Sequence, residues 1–519
     1  MSSSTTRSIS RRRFVTGAVA TASTLVPTGA PWAQGEAPTP RRGGMLRVSA
    51  YLNPSTLDPF TGRSGADHPY LFALYDTLVD FEPSTLKPRP GLASWSFPDP
   101  KIMVLELRPA IHFHDGTPCD ADAVRVNIER ARMVGTRSTV TADLDSVASS
   151  ETGGPLKVVL HLKYPNSALP AILSDRAGMM MSPTAQATAG DDFDRRPCGT
   201  GQLKFVSWAD GDRVIMTRND EYWKKGEPYL DGITFRVITD YTAGAHSVEA
   251  GENDFMWNVP PRLIAAMKSN RNVKIVGYPS TRVMNIFFNY GRPPLNDVRV
   301  RQAINYAIDR VGFTRVTTEG TGQVASSLAP AEYWAFDKEG AKRYPYDAEK
   351  AKALLKDAGY EKGLNLTMVV LPDAEYRRRA DIAMDNLNKV GINVTLMPVQ
   401  QATHTFNNEK KGDIFLVVWT GRPDLSQSYF ALFSKDSYYN ASGTTPIDNI
   451  DELISATTAS EDLNVRKVAF AKLMQAERDA ALFAPLCTEQ MICALRSNVK
   501  GFVPNLLGKP KFDGVFLDT

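Results

Sequence analysis

The chain has 519 residues, with 60 lysines and arginines against 57 aspartates and glutamates, a formal charge of +3. Hydrophobic residues make up 43% and charged residues 23%, ordinary globular values that exclude a disordered or fibrous chain and, at this length, one simple core. The positive sign belongs to the N-terminus: the first 33 residues hold Arg7, Arg11, Arg12 and Arg13 and no acid, leaving 56 basic against 57 acidic residues beyond them. No broad attraction to nucleic acid or to an anionic membrane is therefore expected.

Ser10-Arg11-Arg12-Arg13-Phe14-Val15-Thr16 precedes a weakly apolar run from Gly17 to Val26, shorter than the roughly 20 residues a bilayer span needs. Small residues follow through Ala30 and Ala33. Residues 1–33 read as a cleavable export signal, and the paired arginines resemble a twin-arginine signal; an ordinary secretion leader that happens to carry three arginines is the alternative. The first cysteine is Cys119, so no thiol near the leader is placed for a lipid anchor. The expected location is the periplasm, as a soluble, unanchored monomer. Cys119, Cys198, Cys487 and Cys493 then sit in an oxidising compartment, where a Cys487/Cys493 bridge across a tight hairpin and buried free thiols are both open.

A Pro-, Arg- and Gly-rich tether, residues 34–44, leads to a strand from Met45 to Ala50. A helix is expected near Tyr70 to Val79 and strands from Ile102 to Leu107 and Lys157 to Leu162. Lys204 to Trp208 and Asp212 to Met216 flank Ala209-Asp210-Gly211, a hairpin signal. Val300, Ala303, Ile304, Ala307, Ile308 and Val311 recur at helical spacing, which predicts a helix over Asp297 to Val311. Asp347 caps the next, with Gly359 as its stop. Leu364 to Leu371, Ile392 to Val399 and Ile414 to Trp419 read as strands around a helix from Ala380 to Val390, and a last helix covers Asn464 to Ala484. The fold class is α/β, in two lobes with mixed sheets, and a cleft between lobes is the natural ligand site.

Catalytic patterns are missing. Gly62-Arg63-Ser64-Gly65-Ala66 fails as a nucleophile elbow, no phosphate loop occurs, and no cysteine has a nearby histidine that would single it out as a nucleophile. His112 and His114 alternate on one face beside Asp115 but lack a third ligand at a recognisable spacing. They read as part of a turn, with no metal and no cofactor expected.

Several segments together resemble the extracytoplasmic solute-binding proteins of ABC transporters, family 5, which includes dipeptide, oligopeptide and nickel receptors. They are Gly43 to Val48, Leu57-Asp58-Pro59, Leu74 to Val79, Gly91 to Trp95, Phe113 to Pro118 with Ala121 to Val124, Gly199-Thr200-Gly201, Asn219 to Trp223, Ala250 to Asp254, and Val298 to Ala303 through Asp309. Each block is weak alone; their order and spacing, from about residue 43 to Gly501-Phe502, cover nearly the whole chain beyond the leader. The resemblance implies a first lobe over 45–280, enlarged by an extra subdomain at about 92–198, a second lobe over 281–485, and a C-terminal segment, 486–519, that returns to the first. It implies capture of a peptide-like or small organic solute between the lobes, delivery to membrane permease subunits, and no catalysis. An exported enzyme on the same architecture and a ligand-presenting sensor subunit are the rival readings.

Ligands bind beyond the carboxyl ends of strands in open α/β sheets, which points to Leu416-Val417-Val418-Trp419-Thr420-Gly421-Arg422-Pro423-Asp424. In peptide receptors this segment resembles Trp-x-Ala-Asp-Tyr-Pro-Asp-Pro, and its first aspartate receives the ligand's ammonium. Counting from Trp419, this chain has Arg422 there, which favours an anion. Asp424 is expected either to pair with Arg422 or to receive a ligand donor. Tyr51, after the first strand, His68, just before a helix start, and Trp257, after a turn, complete the candidate lining.

Overall fold

The computed structural model describes residues 39–518 apart from 63, 134–139, 436 and 438; the leader expected at 1–33 lies outside the described residues. One compact unit runs from Pro40 to Thr519. It opens with β1 (Met45–Ala50) and the wholly buried α1 (His68–Leu74). β2 (Ala93–Asp99), β3 (Ile102–Leu107), β4 (Val147–Gly154) and β5 (Lys157–Leu162) then form a separate sheet in the order β2-β3-β5-β4. This sheet lies inside the stretch expected to hold the extra subdomain. The chain next makes the expected hairpin, β6 (Leu203–Ala209) and β7 (Arg213–Arg218), then β8 (Gly232–Val237) and β9 (Phe255–Trp257).

Two long strands organise the rest. β10 (Val273–Phe288) leads to α2 (Val298–Ala307), α3 (Arg310–Thr318) and α4 (Ala348–Asp357). β11 (Leu364–Val370), α5 (Ala374–Asn388), β12 (Ile392–Pro398), β13 (Ile414–Thr420), α6 (Leu425–Phe433) and α7 (Leu463–Ala480) precede the second long strand, β14 (Phe483–Arg496). The main sheet runs β12-β11-β13-β10-β14-β9-β1-β8-β7-β6, with Gln323–Val324 added to β14. Each side holds a parallel stretch, β1 with β8 and β9, and β11 with β12 and β13, and β7 and β6 continue from β8 antiparallel. Parallel strands suit apolar runs covered on both faces by helices.

β10 and β14 join the two sides. Val273 to Tyr278 pair with Met491 to Arg496, beside β9; after a register shift, Arg282 to Phe287 pair with Glu489 to Phe483, beside β13. The lobe limits expected at 280 and 485 fall inside these two strands.

Three expected helices end early; the one expected near Tyr70 to Val79 stops at Leu74, and Val79 begins a short strand. The apolar period from Val300 to Val311 is continuous, but Ile308 is extended and the Asp309 side chain accepts from the Gly312 amide at 2.9 Å, starting a new helix. A cap at Asp309 thus overrides periodicity, and Val311 faces solvent at 66% exposure. The final helix stops at Ala480, with Ala481 left-handed at φ +46°, and Phe483 to Leu486 begin β14 instead. A short apolar run satisfies either period. Cys487 and Cys493 therefore share one strand, six residues or about 20 Å apart, and do not face each other across a hairpin. All four cysteines are buried free thiols.

Against the α6 helix, the buried Glu477 carboxylate accepts from the Tyr429 hydroxyl at 3.2 Å, and burial pushes its pKa up to about 8. The folded state then holds a proton that the unfolded chain releases near pH 4.5, so stability falls as pH rises through that window. Glu477→Gln is expected to match the parent near pH 5. It should gain on it by up to about 1.4 kcal/mol per pH unit towards pH 8, read from thermal unfolding across pH.

Candidate functional site

A cavity of about 680 Å³ opens where the two long strands shift register. Tyr51, at the end of β1, and Trp257, at the end of β9, line it. Tyr51 stacks on Tyr241 with centroids 5.6 Å apart and meets the Trp257 edge at 5.6 Å. Burial raises the pKa of Tyr51, so its hydroxyl stays neutral. Tyr376, on α5, extends this aromatic wall.

The same cavity carries charges that sequence reasoning missed. Arg282 of β10 donates from Nη2 to Oε2 of Glu489 on β14 at 3.2 Å, and Arg379 of α5 places Nη2 2.8 Å from Glu489 Oε1. Burial opposes ionisation of Glu489, but Arg379 and Arg282 outweigh it and hold the pKa low. Both arginine pKa values are raised despite burial, chiefly by Glu489. All three groups are charged.

A chamber of about 80 Å³ adjoins this cavity, sharing Ser64, Gly65, Thr420 and Lys509 with it, and His68, Trp419 and Arg422 line the chamber. β13 delivers Trp419, whose indole N–H donates to Ser428 Oγ at 3.0 Å and whose ring meets Tyr439 edge-on at 5.2 Å. Gly421 follows because the backbone passes close to β10: a Cβ there would collide with Thr281. Arg422 Nη1 lies 3.5 Å from Asp143 Oδ2, and Gln427 Nε2 donates to the other oxygen at 3.1 Å. Its charge is thus offset by a residue far away in sequence. His68 Nε2 lies 2.6 Å from Asp175 Oδ1 and 3.0 Å from Lys509 Nζ. Burial, helped by Lys509 and Arg176, lowers its pKa to about 3, whereas burial leaves Lys509 at about 8.

Asp424 departs from both roles expected of it. It does not pair with Arg422: Arg466 Nη2 binds its Oδ1 at 2.9 Å and its Oδ2 at 2.7 Å, in a bridge whose side chains are 6% and 4% exposed. Its Oδ1 also accepts from the Ser426 amide and hydroxyl at the start of α6, where Gln427 completes a capping box. Asp424 lines neither the cavity nor the chamber. His114, the metal-like residue, is tied to the Gly199–Gly201 segment instead: Nδ1 accepts from Gly199 N at 3.3 Å and Nε2 lies 3.0 Å from Gly201 O. Among the described residues no group of three or more metal-ligating side chains occurs.

One sheet whose two sides are joined by two long strands, with a cavity at the joint, defines a two-lobed binding-protein fold. Solved structures share it. DppA of Helicobacter pylori, in complex with the peptide STSA, superposes with a TM-score of 0.83 at 23% identity, over 92% of this chain and 99% of that one. AgaA of A. tumefaciens R10, in complex with agropinic acid, gives 0.83 at 23% over the same shares. The chain belongs to the bacterial extracellular solute-binding proteins of family 5, whose model matches residues 87–441. Among its relatives are the glutathione-binding proteins GsiB of Salmonella paratyphi A and Escherichia coli O157:H7, each 27% identical over 475 residues, 88% of this chain and 91% of theirs. It is a substrate-binding component of an ABC importer and works with permease subunits. The family is one of binding proteins.

Proposed function

We propose that this protein captures a small organic or peptide-like solute in the 680 Å³ cavity and returns it chemically unchanged to the permease. The observation that carries the reading is the place of that cavity, at the register shift of β10 and β14. Those strands are the hinge, between a first lobe over 45–280, with its extra subdomain at about 92–198, and a second over 281–485. The C-terminal segment, 486–519, returns to the first lobe: Phe512 packs edge-on against Phe235 and Phe255. Ligand favours closure because both lobes contact it only when they meet. Tyr51, Trp257 and Tyr376 supply flat apolar surface and the charged groups fix orientation, in a volume within the roughly 300–1,000 Å³ usual for small-ligand sites. His68, Trp419 and Arg422 serve the adjoining chamber. The twin-arginine leader over 1–33 exports the protein, which works as an unanchored periplasmic monomer.

Mass spectrometry of solute retained by the natively purified protein tests this, with thermal shift against short peptides, glutathione, opine-like acids and simple organic acids. A true ligand at 100 times its dissociation constant adds about 2.7 kcal/mol of stability. A solute recovered in altered form, or no stabilisation by any compound or retained solute, overturns the proposal.

A further inference from the structure

The charge balance of the main cavity is uneven. Arg282 and Arg379 share one carboxylate, Glu489, and the three side chains are only 16%, 15% and 12% exposed. The cluster carries one excess positive charge in a place where water screens poorly. The other charged groups of the lining do not cancel it. Lys509 is held by Asp175 at 3.0 Å, Glu375 by Arg262 at 3.0 Å, and Asp373 is an exposed cap that accepts from the Tyr376 amide at the start of α5.

Each guanidinium has five N–H groups in a planar fork. Arg282 and Arg379 each turn one terminal nitrogen to Glu489, and their other donors have no hydrogen-bond partner among the described residues. Both side chains line the cavity and are only partly buried, so a ligand held there can take those donors. A carboxylate matches the fork in both charge and shape.

We propose that Arg282 and Arg379 together form the anchor for a carboxylate of the solute. The anchor takes over the anion preference that the sequence suggested for Arg422, whose charge Asp143 offsets. It also ties recognition to movement. Arg282 and Glu489 are cross-strand partners beside the register shift of the two long strands, while Arg379 comes from α5. A carboxylate bridging both arginines therefore joins the joint between the lobes to a helix beside it. This rests on the cavity being the solute site, and the test separates the two statements.

Acetate is the probe, titrated into the mature protein with chloride matching ionic strength, and followed by thermal shift and by indole fluorescence, since Trp257 lines the same cavity. Saturable binding in the millimolar range is expected. Arg379→Gln should weaken it at least tenfold, and Glu489→Gln, which raises the local charge by one, should tighten it severalfold. A purely structural cluster would not show that opposite sign. Circular dichroism checks that each variant is folded, and Arg282→Gln gives a second reading of the first effect. Absence of saturable acetate binding overturns the anchor, as does equal affinity in parent and Arg379→Gln, or weaker binding in Glu489→Gln. A retained solute that proves neutral or cationic sinks the anchor while leaving the receptor standing.

Discussion

Replacing Asp424 by alanine is expected to lower the stability of the protein by about 3–5 kcal/mol, the usual cost of removing one partner from a buried ion pair. Arg466 would be left charged, 6% exposed and without its carboxylate, between the rings of Trp334 and Phe470. The same change removes the cap of α6, worth about 1 kcal/mol. Asp424→Asn keeps most of the cap and should fall between parent and alanine variant. Pairing Asp424→Ala with Arg466→Met should recover much of the loss, because no lone buried charge remains. Thermal unfolding of the four proteins without solute measures this. An Asp424→Ala protein with unchanged unfolding temperature but lost solute binding would return Asp424 to the ligand role that its position after Trp419 first suggested.

That residue shows where sequence reasoning reaches its limit. Local rules placed elements well: Met45–Ala50, Ile102–Leu107 and Lys157–Leu162 have the expected bounds, and Asp347 caps its helix as expected. They failed at Ile308-Asp309 and at Ala481 to Phe483, where periodicity alone cannot tell a continued helix from a new cap or a strand. The candidate site is less legible because its charges meet only through long-range pairing. Arg282 and Glu489 are 207 residues apart, and Arg422 and Asp143 are 279 apart. Arg379 sits in an Arg377-Arg378-Arg379 run that looks like a solvated helix face. Glu489 lies in the middle of β14, where the sequence suggested at most a hairpin between Cys487 and Cys493. Tyr51 and Trp257 were accessible to reasoning because an aromatic just after a predicted strand or turn needs no distant partner to be conspicuous.

Trp257→Ala carries the second large effect, and it divides packing from recognition. Trp257 is 2% exposed, ends β9 opposite Cys493, and meets Tyr51, Tyr70 and Phe235 edge-on with centroids 5.6, 6.4 and 6.5 Å away. Truncating so large a buried side chain costs about 3–5 kcal/mol, and aromatic edge contacts of this kind add about 0.5–1.5 kcal/mol per pair beyond area. The unliganded protein should therefore unfold at a clearly lower temperature. Trp257→Phe, which keeps a ring against Tyr51, should lose much less. Solute affinity follows a different logic, because the indole also forms part of the cavity wall. If its face contacts the solute, the stabilisation by retained solute shrinks in the alanine variant beyond the loss already measured without solute. If the indole only supports Tyr51, both variants lose resting stability in proportion to the volume removed while the ligand-induced shift persists. A Trp257→Ala protein that unfolds within a degree of the parent would mean that the aromatic cluster is not what holds β1 and β9 against the cavity.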